Sequence, residues 1–316
     1  MARDVEETVR RALAENLHSS PHLPHDIALR LAQDIETVAM PVLRHSPVLT
    51  NDDMIEIIRH GSPTKQEAIA QRPDVAQDVC DAIITSAGEN AVAALMTNAT
   101  AQIAEKSLGK AVERFADSDS VKEGMVRRKR LPVTITERLV TLVSENLKDY
   151  LVSHHELSPA LAADLVLQSR ERSVINLSAG SSTDEIEKLV LQMHMNERLT
   201  PSIILRALCM GDIIFFEVSI AVRTGISLVN ARTLIHDAGS LGLKSICEKA
   251  GLPSKIVPAV RIALDVLEDT LMDGEPHDRE RYRAKVIERV LTQYQDFGAE
   301  DIDYLLSKLG DVLSSA

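Results

Sequence analysis

LPVTITERLVTLVSENLKDYL, residues 131–151, is the stretch that decides the fold class. Ile135, Leu139, Val143, Leu147 and Leu151 recur at every fourth position, and steps of three and four residues gather apolar side chains on one face of an α-helix. Pro132 stands where the helix begins. There its missing N–H removes no hydrogen bond and its fixed φ is already helical. Working outward, Ile27, Leu31, Ile35 and Val38 repeat the pattern after Pro24, and Ile256, Val260, Leu264, Leu267 and Leu271 repeat it after Pro253. Runs of alternating β-branched residues bounded by turns do not recur, so strand signals are nearly absent. The chain reads as all-α.

Helix starts align along the chain. LPHDIALRLAQDI at Leu23, RPDVAQDVCDAII at Arg72, LPVTITERLVTLV at Leu131 and LPSKIVPAVRIAL at Leu252 share a proline, two mostly polar residues and then an Ile or Val. LSPALAADLVLQS at Leu157 and LTPSIILRALCMG at Leu199 place Ser158 and Thr200 where an N-cap belongs. The prolines at 24, 73, 132, 159, 201 and 253 are unevenly spaced. A regular solenoid of helix pairs repeats at one period of about 34–47 residues. The expectation is therefore an irregular helical-repeat stack of helical hairpins, each unable to bury its apolar face alone. Loop composition suggests three regions: 1–180, 181–273 and 274–316. The first break is AGSSTDE around Gly180, where Ser182 and Glu185 form a capping box, and the second is MDGEPHD around Gly274. The last region is read as a helical pair, Tyr282 to Val290 and Ile302 to Leu313, that serves as a cap or a homodimer contact.

Composition narrows the class of protein. Apolar residues make up 45%, yet aromatics are only 3% and Trp is absent, a balance that suits close helix-on-helix packing. A net charge of −12 argues against nucleic-acid binding, which draws its affinity from neutralised phosphates. Cys80, Cys209 and Cys247 lie far apart with no CxxC spacing, which points to reduced, buried thiols and a cytoplasmic location. The opening MARDVEETVRRALAENL is charged throughout and lacks the apolar core of a signal peptide. The most apolar stretch, Ile203 to Val222, carries Arg206, Asp212 and Glu217, so no membrane span is expected.

MPVLRHSPVLTNDDMIEIIRHGSPTKQEAIAQRPDV, residues 40–75, resembles the opening of an uncharacterised domain family of α-proteobacteria. Pro41, Leu43, Ser46, Pro47, Leu49 and Asp53 carry the likeness, which extends through RLPVTITERLV to near Leu271. The resemblance implies short helical repeats similar to HEAT or armadillo units in a bacterial cytoplasm. It implies no activity and transfers no catalytic residue.

The most localised charge feature is Arg127, Arg128, Lys129 and Arg130, with Lys122 before them and Arg138 one turn inside the next helix. Locally the run reverses the sign of an acidic chain and suits phosphate, an anionic headgroup or an acidic protein surface. Paired with Glu123, Glu137 and other acids it is a solvated loop, as charged runs usually are. SIAVRTGISLVNARTLIHDAG, residues 219–239, resembles a helix-turn-helix with Ile226, Val229 and Leu234 inward and Asn230 and Arg232 facing a groove. Such turns also occur in ordinary helical hairpins. His18 and His22, with His25 nearby, have the i,i+4 spacing of a helical metal site, but Pro21 and Pro24 place them in a loop with no nearby Cys or paired carboxylate. In the cluster His154-His155-Glu156 the two imidazoles diverge by about 100° on a helix. The glycine-rich phosphate loops and nucleophile elbows are missing. Ala179-Gly180-Ser181-Ser182 is better read as a cap than as an anion cradle. Met210, Phe215 and Phe216 read as core rather than as a groove lining.

The expected function is a non-enzymatic interaction scaffold or regulator, binding a protein partner through a helical surface at Arg127 to Arg130 and Arg138, with no cofactor and no metal. Two alternatives stand beside it: a small-ligand or nucleotide second-messenger sensor, and a DNA-binding regulator through 219–239.

Overall fold

In the computed structural model, residues 2–154, 158–237, 239–269 and 278–293 are described. Among them the chain forms eighteen α-helices and one short 3-10 turn, with no strand. It divides into two compact units, Met1–Leu139 and Val140–Ala316. That division lies inside one long helix, whereas loop composition had suggested a break near 180. The turn there joins two helices of the same unit, and Ser182 and Glu185 complete the expected capping box.

The first unit contains α1 (Ala2–Leu17), α2 (His25–Gln33), α3 (Glu36–His45), α4 (Asn51–His60), α5 (Pro63–Ala70), α6 (Gln77–Ser86), α7 (Glu89–Thr97), α8 (Glu105–Arg114) and α9 (Asp119–Val126). α10 (Val133–His154) begins in it. Alternate helices pack on one another. α1, α3, α5, α7 and α9 make one layer, and α4, α6 and α8 make the other. Most of these helices have only eight to ten residues, too few to persist alone in water. They hold because each buries an aliphatic stripe. Met54, Ile57 and Ile58 of α4 do so, as do Val79, Cys80, Ile83 and Ile84 of α6, and Ala91, Val92, Leu95 and Met96 of α7. Packing between α7 and α9 is so close that a Cβ on Gly124 would lie 2.8 Å from the Met96 Cβ.

The hairpin recurs at a regular interval that the prolines conceal. The helices beginning at His25, Asn51, Gln77 and Glu105 start 26, 26 and 28 residues apart. Their N-cap residues are Pro24, Thr50, Ala76 and Ala104. Leu23, Leu49 and Val75 stand just before the first three and are buried. Pro24 and Pro132 therefore mark one point of the hairpin, while Pro73 lies in the turn between α5 and α6. Uneven proline spacing arose from mixing these two phases. The run from Ile27 to Val38 is also two helices rather than one: Ile35 is the N-cap of α3. Ile27 and Ile35 are 38% and 46% exposed, while Leu31 and Val38 are buried.

Short helices leave many end carbonyls without a partner, and side chains one hairpin later take them up. Lys65 Nζ donates to the carbonyls of Ala32 (3.2 Å) and Asp34 (2.6 Å). Arg72 donates to those of Leu43 (2.5 Å) and Ser46 (2.6 Å). Asn98 Nδ2 reaches Ala70 (2.9 Å) and Arg72 (2.6 Å), and Arg114 reaches Ile84 (2.8 Å). The opposite helix ends are tied by hydroxyl-to-carboxylate bonds, Ser62 to Glu36 and Ser118 to Glu89, both 2.6 Å, and also Ser107 to Asp81 and Thr134 to Glu105.

The second unit holds α11 (Pro159–Ser178), α12 (Thr183–Met195), α13 (Pro201–Cys209), α14 (Ile213–Thr224), α15 (Leu228–Ile235), α16 (Ser240–Lys249), α17 (Val257–Asp269) and α18 (Asp278–Gln293). Ser158 and Thr200 cap α11 and α13 as expected. α14 is central, touching α12, α13, α15 and α16, with Phe215 and Phe216 fully buried. The charges in its apolar neighbourhood are structural. Arg206 Nε donates to Glu171 Oε2 at 3.0 Å, both residues being buried, and Ser202 donates to the same oxygen at 2.9 Å. Asp212 caps α14 and accepts from Ser178 at 2.5 Å. Arg223 repeats the carbonyl device on Ala250 and Leu199, both at 2.5 Å.

Tyr282 of α18 donates towards the carbonyls of Leu208 (2.9 Å) and Ala263 (3.1 Å), and burial pushes its pKa well above the ordinary value. Tyr282, Val286 and Val290, the face read as a cap or a dimer contact, are buried within the chain. Ile302 to Leu313 lie outside the described residues. Among the described residues, no single helix is long and apolar enough to cross a membrane.

Removing one member of the buried α11–α13 ion pair leaves an uncompensated charge in the core. Arg206→Ala is expected to lower unfolding free energy by about 3–5 kcal/mol. The paired change Glu171→Leu with Arg206→Met should recover part of that loss. Urea unfolding of the two variants checks the ordering.

Candidate functional site

The basic run follows α9 directly. Ser118 caps the start of that helix, and its last turn runs on into Arg127 and Arg128, whose amides bond to the carbonyls of Glu123 and Met125. Arg128 is then drawn back across the layer. Its Nη1 donates to the carbonyls of Met96 (3.2 Å) and Asn98 (2.9 Å), and its Nη2 to that of Ala101 (3.0 Å). This is the carbonyl device of Lys65, Arg72 and Arg114 once more, and burial lowers the pKa of the Arg128 guanidinium. Arg128 is thus the residue of the run that the fold consumes.

Its neighbours are left outside. Arg127 is 74% exposed at the side chain and meets Glu123 only at 3.4 Å, a surface pair of small worth. Lys129 and Arg130 are exposed. Lys122 turns away to Asp119 at 2.9 Å. Arg138 is bound to Glu113 at 2.7 Å, beside Gly109 of α8. Of the five residues expected to form a binding site, three therefore present free or weakly paired cations together. Arg128 underpins them, and Arg138 belongs to the α8–α10 contact.

A cleft of about 650 Å³ opens at this place, lined by all four residues of the run together with Met96, Thr97, Ala99 and Gly124. Met96 and Gly124 are buried, so the exposed floor is the small side chains and backbone of Thr97 and Ala99. No carboxylate is among the lining residues. In a chain of net charge −12, a concave surface with cations at its mouth and no acid in its wall concentrates positive potential. It can hold an anion by charge-assisted hydrogen bonds.

The other candidates are structural in their geometry. α14 and α15 meet at 112° around Gly225, whose φ is 72°, an angle within the range of a helix-turn-helix. Val229, expected inward, is 72% exposed, while Ala231 and Ile235 face the core. Arg232 is held by Glu217 at 2.7 Å, and His236 Nε2 meets the other oxygen of Glu217 at the same distance. Sequence reasoning missed this cluster and the Glu171–Arg206 pair. The available signal was the presence of charges inside apolar helices, since a buried charge requires a partner. His25 is bonded to Asp53 at 2.7 Å, and the rings of His18 and His45 lie 5.3 Å apart. His155 and Glu156 fall outside the described residues. Among the described residues, no group of three or more His, Cys, Asp or Glu side chains is placed to hold a metal ion. Burial pushes the thiols of Cys80 and Cys247 up to about 12, so neither is a thiolate at neutral pH.

Arg128→Ala would strip a charged donor from three carbonyls at the end of α7, and hydrogen bonds to charged groups contribute about 1.5–3 kcal/mol. A loss of about 2–3 kcal/mol is expected, against less than about 0.5 kcal/mol for Arg130→Ala at the exposed neighbour. Denaturant titration separates the two roles; equal losses would contradict them.

No curated protein and no solved structure matches the chain. A family model described as an uncharacterised protein conserved in bacteria (DUF2336) matches residues 38–299, a span that takes in the 40–75 segment and the whole cleft. The chain therefore belongs to this bacterial family.

Proposed function

We propose that the chain is a non-enzymatic interaction protein of the bacterial cytoplasm, a helical-repeat scaffold that docks a protein partner at the α7–α9 cleft. One observation carries the reading. Arg128 is spent on the carbonyls of Met96, Asn98 and Ala101, and this holds Arg127, Lys129 and Arg130 at the mouth of a wall without acids. Stacked helical hairpins expose continuous surfaces suited to docking. The buried charges Glu171, Arg206, Asp212 and Glu217 each bond to another side chain of the fold and do not line the cleft. A homodimer would use a face other than Tyr282 to Val290, which α18 turns to its own chain.

A second reading, a sensor of a small anionic ligand such as a nucleotide second messenger, is favoured by one number. The cleft of about 650 Å³ falls within the roughly 300–1,000 Å³ common to small-molecule sites. Its exposed cations and the exposed small residues Thr97 and Ala99 fit a polypeptide better. The DNA-binding reading loses its main cation, because Arg232 is engaged by Glu217.

Affinity capture from the native host, using the full chain beside the variant R127E/K129E/R130E, tests the docking reading. Partners should be retained at least tenfold better by the native chain, with both proteins equally helical by circular dichroism. The same set of proteins on both would reject the cleft as the docking site. A thermal-shift screen with nucleotides addresses the second reading, since a ligand of the folded state must raise Tm.

A further inference from the structure

We infer that the element the cleft accepts is a short acidic segment of the partner, a few extended residues whose carboxylates lie along Arg127, Lys129 and Arg130. This rests on the cleft being the docking site. The argument begins with the layout of the three cations. Arg127 ends the last turn of α9, and Lys129 and Arg130 follow in non-helical chain before α10. Consecutive Cα atoms are about 3.8 Å apart and the chain bends at Arg128 and Lys129, so the cations lie in a row of no more than about 11 Å. An extended peptide rises about 3.4 Å per residue, so three or four consecutive acidic residues cover that length.

The floor agrees with a polypeptide ligand. Thr97 and Ala99 are small and exposed, which leaves room for a backbone between the cations and the end of α7. Arg128 cannot compete for the ligand while its guanidinium is bound to three carbonyls. It acts as a positioning residue, fixing the chain on either side of it.

The surroundings limit the ligand's length. The whole chain is acidic, at −12, and at physiological salt charges are felt over only about 8 Å. A segment of a few residues feels the row and little else. Duplex DNA carries a charge every ~1.7 Å of axis and presents far more phosphate than three cations can neutralise. An anionic membrane likewise presents its charge over a broad plane.

The test is fluorescence anisotropy of labelled hexaglutamate on the full chain, with labelled hexaglutamine, a 20-nucleotide DNA strand and GTP as comparison probes. Hexaglutamate should bind while hexaglutamine does not. Its Kd should rise at least tenfold in R127E/K129E/R130E and several-fold between 50 and 300 mM salt. The variant R59E/K106E/K110E makes the same change in net charge at exposed positions of the first unit that do not line the cleft and should keep native affinity. Equal loss in both variants would overturn the inference, because binding would then follow net charge alone. Tighter binding of DNA or GTP than of hexaglutamate would overturn the partner class. If hexaglutamate fails while capture from the host still depends on the cleft, the acidic segment is wrong and the docking reading stands. If both fail, both are wrong.

Discussion

A helix of eight to ten residues has almost as many unbonded end groups as bonded ones, and most of the first unit is built from such helices. The apolar stripes explain why the helices collapse together, but burial alone would leave their terminal carbonyls facing dry protein. The chain meets that constraint by a donor placed one hairpin later. Lys65, Arg72, Asn98, Arg114 and Arg128 each reach back 26 to 33 residues to the end of a preceding helix. Because these bonds join successive hairpins, they also set the distance at which hairpins can recur. The interval of 26 to 28 residues between helix starts and the reach of these side chains are one geometric fact.

That constraint explains why a basic run stands after α9. One cation there is required by α7, and a guanidinium held at three carbonyls fixes the chain that carries it. Flanking residues gain a rigid position without making the bonds that provide it. Folding therefore does not depend on Arg127, Lys129 and Arg130, which make none of the bonds that Arg128 makes.

Much of the architecture was legible before any coordinates. Four-residue spacing gives the helices, and Ser158, Ser182 and Thr200 announce their starts through local hydrogen bonds that span three residues. The hairpin interval was not legible from proline, because the same N-cap position is filled by Pro24, Thr50, Ala76 and Ala104. Any residue with extended backbone serves there. Its steadier mark is the buried aliphatic residue one place earlier, Leu23, Leu49 and Val75. Within the candidate site, the run itself was legible and the division of labour inside it was not. Arg128 and Arg130 are alike in sequence context. Only the carbonyls of Met96, Asn98 and Ala101, about thirty residues away, distinguish them.

The same reasoning gives a way to read cations elsewhere in such a stack. An Arg or Lys that reaches a helix-end carbonyl belongs to the scaffold, as Arg223 and Arg261 do in the second unit. One that meets a buried carboxylate belongs to the core, as Arg206 does. Isolated exposed cations such as Lys110 and Lys188 are the ordinary solvated remainder. What sets Arg127, Lys129 and Arg130 apart is that exposure, adjacency and an acid-free concave wall coincide in an acidic chain. Solubility requires none of these three together. Their coincidence beside a residue that the fold holds at three carbonyls is why the binding role is proposed for the cleft and not for the charge alone.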